Sequence, residues 1–303
     1  MDLPGRRDLE GLPEVLMRSK LDSALPYSLL APTLIFVTLL IVVPIFQAFL
    51  LAFQGADGSL TLANFQKMAS DTAFTDALKF TFLLLIFIVP AQVILALIMA
   101  LLIHTRYKGH TLFLYIYAIP LAISDLAAGI AWLSIFTERG YLNSILNQMG
   151  ILDRPFLFLS YQNLPAMFGT IVVAESWRAT AIVMTILLAG LQVIPRDYFE
   201  AADVFGANTL KRTLYVVLPL LRPSLQNALI IRTIFAFQTF SVVLALAGRV
   251  IPVLAGESYT WYVTNRNTGV AAAYAVLILI FTVGATWFYF RFFQTNAAEA
   301  GYD

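Results

Sequence analysis

The 303-residue chain has no cysteine, two histidines and a charged fraction of only 12%. Without thiols there is no disulfide framework, no thiolate nucleophile and no thiolate metal site. Two histidines, His104 and His110, fall in one basic turn, which supplies neither a HExxH-type zinc site nor a nucleophile–base pair, so no catalytic and no metal-binding residues are assigned. The 19 basic and 18 acidic residues nearly cancel to a net charge of +1, which leaves no nucleic-acid footprint. No Gly-Lys dipeptide occurs, so the chain has no GxxxxGK[ST] phosphate cradle and binds no nucleotide cofactor of its own by that route. Apolar residues fill the space left by charge. They make up 60% of the chain, against the ~45–50% apolar and ~25% charged residues of a soluble domain, which excludes an ordinary soluble enzyme and a disordered chain.

A membrane-spanning helix needs ~20 mostly apolar residues, and the sequence offers about six such runs. They are placed at Tyr27–Phe53, Leu78–Ile103, Thr111–Phe136, Pro165–Gln192, Ser224–Ala247 and Gly269–Phe293. The expected fold is all-α and polytopic, with a segment 1–26, a six-helix domain 27–293 and a tail 294–303. The first apolar run exceeds the ~7–15 residue core of a signal peptide and is read as an anchor. With the N-terminus inside, eleven Lys and Arg residues fall on the cytoplasmic side, among them Arg6, Arg7, Arg18, Lys20, Arg106 and Arg196, against six on the other. That bias puts both termini in the cytoplasm.

The most informative stretch is 194–223, between the fourth and fifth runs. Pro195 suits a first helical turn and Asp197 complements the positive end of the helix dipole, so a short helix is predicted through Glu200, Ala201 and Ala202. Gly206 then permits a sharp turn. A second short helix is predicted over Thr209–Val217, ended by Leu218-Pro219 and by Pro223. On physical grounds alone this helix–turn–helix elbow is either a plain amphipathic connection or a docking element.

The spacing of Glu200-Ala201-Ala202, Gly206, Val216 and Leu218-Pro219 resembles the cytoplasmic EAA loop of bacterial ABC importer permeases. Leu191, Pro195, Asp197 and Arg222-Pro223 around it resemble the carbohydrate-uptake, maltose-transporter branch. One departure stands out. Phe205 occupies the place before the loop glycine where that family commonly has Asp, and the nearest acid is Asp203. The resemblance implies the type I importer permease fold and a place in the bacterial cytoplasmic membrane. It also implies an elbow that couples to cytoplasmic ATPase subunits. The implied partners are a second homologous permease, two ATP-binding cassette subunits that carry ATP and Mg, and an extracytoplasmic sugar-binding protein, with Gln54–Ala77 and Glu138–Leu164 in the outer docking surface.

Four ionisable residues fall inside the predicted spans: Asp125, Glu175, Arg178 and Arg232. Each costs roughly 2.5–3.5 kcal/mol at a helix centre, so all four should face the protein interior. At ~1.5 Å per residue, Asp125 and Glu175 lie roughly 15–20 Å from their span ends and Arg232 roughly 12 Å from its inner end. Two readings stay open: an interhelical cluster of mutually neutralising charges, or groups lining a water-filled pathway or its gate. Tyr115, Tyr117, Trp132, Trp177 and Gln238 are candidate pathway residues, because rings with polar edges stack on sugar faces while hydrogen-bonding their hydroxyls.

The sequence therefore reads as a permease that carries a carbohydrate by alternating access while partners hydrolyse ATP. The alternative within that class is another polar solute such as a glycerol phosphodiester, whose anion would need an exposed Arg178 or Arg232. A stand-alone secondary transporter would show matching Gly/Pro-interrupted spans, and none is evident. An intramembrane enzyme lacks its ligands.

Overall fold

The computed structural model describes residues 26–55 and 57–293. Residues 1–25 and 294–303, with Arg6, Arg7, Arg18 and Lys20 of the orientation count, lie outside the described residues. Among those described, structure is almost wholly helical, the exception being a single bridge between Gln54 and Leu60.

The helices in chain order are α1 (Pro26–Ala52), α2 (Ala63–Ala69), α3 (Phe74–His104), α4 (His110–Ala122), α5 (Asp125–Phe136), α6 (Tyr141–Gln148) and α7 (Leu164–Val193). They continue with α8 (Arg196–Val204), α9 (Thr209–Leu220), α10 (Arg222–Phe237), α11 (Ser241–Ala247), α12 (Leu254–Val263) and α13 (Thr268–Phe292). Four of them, α1, α3, α7 and α13, are long and apolar enough to cross a membrane unaided. They match the first, second, fourth and sixth predicted runs to within a few residues.

The third and fifth runs are corrected. Thr111–Phe136 is not one straight span, because α4 and the segment from α5 onward meet at 106°. Pro120 is the second residue of the 3-10 turn Ile119–Ala122 that ends α4, Ile123 goes extended, and Ser124 caps α5 by accepting the Ala127 N–H at 3.3 Å. Ser224–Ala247 also breaks: α10 stops at Phe237, and after Gln238–Phe240 the chain re-enters a separate helix, α11, packed on α5 and α7. Neither glycine nor proline marks this second break.

Prolines inside helices behave differently from the sequence expectation as well. Leu218-Pro219 does not end the second elbow helix, which runs on to Leu220 before a 75° bend into α10. A proline ring collides with the carbonyl four residues earlier in a regular α-helix. Here the turn Thr213–Val217 is π-helical and the Leu218 N–H bonds the Thr213 carbonyl, which widens the helix just ahead of the ring. The same device recurs in α1, where Thr38–Val42 is π-helical ahead of Pro44. Pro223 lies in the first turn of α10, where no N–H is required.

The most extensive pairing is α3 with α7, and α10 packs on both. Small residues make that possible: Ala96 and Ala100 of α3 are fully buried against Val183, Leu187 and Leu191 of α7. Most of the apolar stretch of α7 is buried, whereas that of α1 is exposed almost throughout, so α7 is the central post and α1 presents an apolar surface of the kind that faces lipid. α13 leans on α1, α10 and α12. At its start Asp71 accepts hydrogen bonds from Trp261 Nε1 (2.6 Å) and from the Tyr274 hydroxyl (3.1 Å), fastening α12 and α13 to the loop before α3. Nearby on α12, burial raises the Glu257 carboxyl above its ordinary pKa, and Arg249 at 3.3 Å opposes the shift.

Two glycines of α7 test this packing. A Cβ at Gly190 would meet Ser224 Cβ at 2.6 Å and Leu221 Cδ2 at 2.9 Å, whereas one at Gly169 meets nothing within 4 Å. Gly190→Val should cost about 1–3 kcal/mol by overpacking, while Gly169→Val should leave stability near wild type. Thermal unfolding of both variants in detergent checks this, and equal midpoints would remove the close approach of α7 to α10.

Candidate functional site

The four intramembrane charges come together. Glu175 Oε2 lies 3.1 Å from Arg178 Nη2 on its own helix and 3.1 Å from Arg232 Nη2 on α10, and Arg178 Nη1 reaches Asp125 Oδ1 at 2.8 Å. Two carboxylates and two guanidiniums thus close on one another across α5, α7 and α10. The side chains of Glu175 and Arg232 are each 1% exposed, which in an apolar interior demands such pairing. A fifth member, Gln92 of α3, is fully buried, donates to the Glu175 backbone carbonyl at 2.8 Å and accepts from Arg232 Nε. The sequence reading did not include Gln92. Its signal was a single amide in the otherwise apolar run Phe82–Ile103.

Asp125 differs from its expected setting. It is the first residue of α5, at the break, rather than a mid-helix residue, and its side chain is 54% exposed. A carboxylate there is favoured by the helix N-terminus and by Arg178 together. The cluster is therefore graded, sealed at Glu175–Arg232–Gln92 and open at Asp125–Arg178. On α7, Arg178 Nε and Ser176 Oγ are buried without a protein hydrogen-bond partner.

The aromatic candidates divide. Trp132 of α5 and Trp177 of α7 meet edge to face at 5.8 Å, and Trp132 also stacks on Phe136 at 5.4 Å. Tyr117 packs on Phe113 at 4.3 Å in the apolar core of α3 and α7, and Tyr115 points outward from α4, 66% exposed. Gln238 borders an apolar groove between α1, α10 and α13 that contains none of the cluster residues. The structure does not bring these three to the charges.

The elbow forms as α8, a turn and α9. Pro195 is the residue before α8 rather than within its first turn, and Asp197 occupies that turn. Gly206 takes φ +72°, and the Gly206 and Ala207 N–H groups bond the Asp203 and Ala202 carbonyls at 3.0 and 2.9 Å. This is the paired C-terminal capping that a left-handed glycine allows. Asn208 caps α9 by accepting the Lys211 N–H at 2.9 Å. The two alanines part company, for Ala202 is buried within the chain while Ala201 and Glu200 stay exposed, so the smooth face is narrower than the sequence implied. Asp203 is held by Arg212 at 2.7 Å, tying α8 to α9. At the tip Val204 and Phe205 are 85% and 89% exposed. Leu218 and Pro219 lie in the last turn of α9, leading into the bend above α10.

A helix–turn–helix loop between two crossing helices, a buried charge cluster and outer connecting helices make one arrangement, and it is matched elsewhere. Residues 68–295 match the family described as binding-protein-dependent transport system inner membrane component. The chain belongs to this family. It is 30% identical over 282 residues to the sn-glycerol-3-phosphate transport system permease protein UgpA of Agrobacterium fabrum, covering 89% of this chain and 94% of that protein. It is likewise 30% identical over 271 residues to the arabinooligosaccharides transport system permease protein AraP of Bacillus subtilis, covering 85% of this chain and 84% of that protein. A crystal structure of a bacterial ABC transporter involved in import of the acidic polysaccharide alginate shares the fold, with a TM-score of 0.78, 20% identity and coverage of 92% of this chain and 98% of that one. The chain is thus the membrane-spanning permease subunit of an ABC importer, a multi-pass inner-membrane component that is not itself an enzyme.

The cluster sets a test for this permease. Arg232→Met alone should leave Glu175 short of a partner and cost about 3–5 kcal/mol, whereas Arg232→Met combined with Glu175→Gln should recover part of that loss. A double-mutant cycle on detergent unfolding measures the coupling; strictly additive losses would mean that the two groups do not sense one another.

Proposed function

We propose that this permease carries a neutral, hydroxyl-rich carbohydrate inward by alternating access, driven by ATPase subunits that seat on the α8–α9 elbow. The observation that carries the solute reading is the closure of the charge cluster on itself. Arg178 and Arg232 are both taken up by Asp125 and Glu175, so neither is a free cation for an anionic solute. Trp132 and Trp177, edge to face at 5.8 Å, offer ring faces of the kind that stack on a sugar. The oligosaccharides named for the Bacillus relative support the same class. Glycerol phosphate, named for the Agrobacterium relative, is the second reading, and on this account its anion would have to be met by residues of another subunit.

In the assembly we infer, the chain pairs with a second permease and docks two ATP-binding cassette subunits that bind ATP and Mg. It receives solute from an extracytoplasmic sugar-binding protein, and both termini lie in the cytoplasm. Glu200, Ala201 and Gly206 shape the coupling surface, with Pro195 and Asp197 starting α8, Ala202 anchoring it and Leu218-Pro219 carrying its displacement into α10. Phe205 is an apolar knob at the tip. The acid that the family commonly has before the glycine is not simply shifted to Asp203, because Arg212 already occupies Asp203.

Reversing Glu200 to Arg, or replacing Gly206 by Val, should uncouple ATP hydrolysis from uptake while the protein still inserts. The Gly206 effect would come from backbone strain, since a Cβ there meets open space. Phe205→Asp should weaken retention of the ATPase roughly tenfold or more, as loss of a buried aromatic anchor does. Purification of the tagged chain with partner subunits scored by mass spectrometry, together with ATP-driven uptake in proteoliposomes, reads all three; wild-type coupling in every variant would remove the docking assignment.

A further inference from the structure

A cavity of about 930 Å³ lies between the turn joining α3 to α4 and the inner side of the elbow. The transport reading draws on Glu200 at its rim and leaves the interior of the cavity unassigned. Its wall toward the helices is apolar, formed by residues such as Leu101, Leu114 and Leu188, while its rim carries Arg106, Arg196 and Arg212. Both histidines of the chain also line it, and all three arginines contribute positive potential at His104. Among the described residues Arg106 and Arg196 form no ion pair, whereas Arg212 is matched by Asp203; Glu200 is the remaining acid on the rim. Arg106 takes φ +52°, a left-handed backbone uncommon for a residue with a side chain.

We propose that this cavity seats an anionic glycerophospholipid of the inner leaflet, with its phosphate between Arg106 and Arg196 and its acyl chains along the apolar wall. Basic hollows at the cytoplasmic ends of spanning helices recognise such headgroups by this combination of charge and hydrocarbon. A free phosphate would need the arginines but not the leucines. The bound lipid would bridge the α3–α4 turn to α8, and so hold the elbow against the membrane. The proposal rests on the cytoplasmic placement of the elbow given above.

The test uses the assembled transporter, permeases with ATPase subunits, exchanged into nanodiscs of mixed phosphatidylglycerol and phosphatidylethanolamine, with co-purified lipid counted by native mass spectrometry. Wild type should retain phosphatidylglycerol in preference to phosphatidylethanolamine. The Arg106→Gln/Arg196→Gln double variant should lose that retention roughly tenfold or more, the screening-sensitive worth of two interfacial cations. Millimolar inorganic phosphate should not displace the lipid. Equal retention of the two lipids by wild type, unchanged retention by the double variant, or displacement by phosphate would each overturn the proposal. If ATPase subunits are absent while phosphatidylglycerol is retained selectively, the elbow reading fails and the lipid site stands. If the ATPase is present and retention unselective, the lipid site fails alone.

Discussion

Everything else in this permease is arranged around one carboxylate. Glu175 sits between two arginines, on the helix most enclosed by the rest of the chain, in surroundings where an unpaired charge is not tolerated. Because its partners come from α7 itself and from α10, and the amide that completes the set comes from α3, the pairing also decides which three helices lie together. The apolar contacts then follow from the small residues those helices present to one another. A buried ion pair adds little net stability compared with a well-packed apolar core, so its value here is in specifying the arrangement.

The same geometry divides the molecule into parts that are held and parts that are left free. Glu175, Arg232 and Gln92 are sealed, whereas Asp125 stands at the start of a helix that begins at a sharp break, half in contact with its surroundings. Below, α7 leads directly into the elbow and α9 leads directly into α10. On the proposed coupling, a push on the elbow would therefore reach both helices of the clamp at once. In our account the clamp moves as a unit, and the open pair Asp125–Arg178 is where the pathway side rearranges.

Much of this was legible in the sequence. Long unbroken apolar runs marked α1, α3, α7 and α13, and rare charges inside apolar runs marked the cluster. The glycine of the elbow sits where a left-handed residue is needed. What was not legible has physical causes. The break after Phe237 falls at the short polar interruption Gln238-Thr239-Phe240-Ser241, which carries no Gly or Pro and is brief enough to pass as polar residues inside one span. Pro219 reads as a terminator because a proline does break a regular α-helix, yet a π-turn ahead of it removes the collision, as another does ahead of Pro44. Gln92 was passed over because an amide in a span is uncharged, although burial gives it the same need for partners. Asp203 and Arg212 are nine residues apart and meet only once the turn has folded the two short helices together.

The absence of cysteine makes the central claim directly measurable, since paired labels can be introduced without removing any native thiol. Val173 on α7 and Phe235 on α10 are both about half exposed, at 48% and 50%. Spin labels at these two positions, in the transporter assembled with its ATPase subunits, report the α7–α10 separation by pulsed electron paramagnetic resonance. A clamp that holds through the cycle predicts the same distance distribution in the nucleotide-free and ATP-trapped states. A new population displaced by about a helical turn, ~5 Å, on trapping ATP would contradict it, because α7 and α10 would then be sliding past the very charges that are said to fasten them.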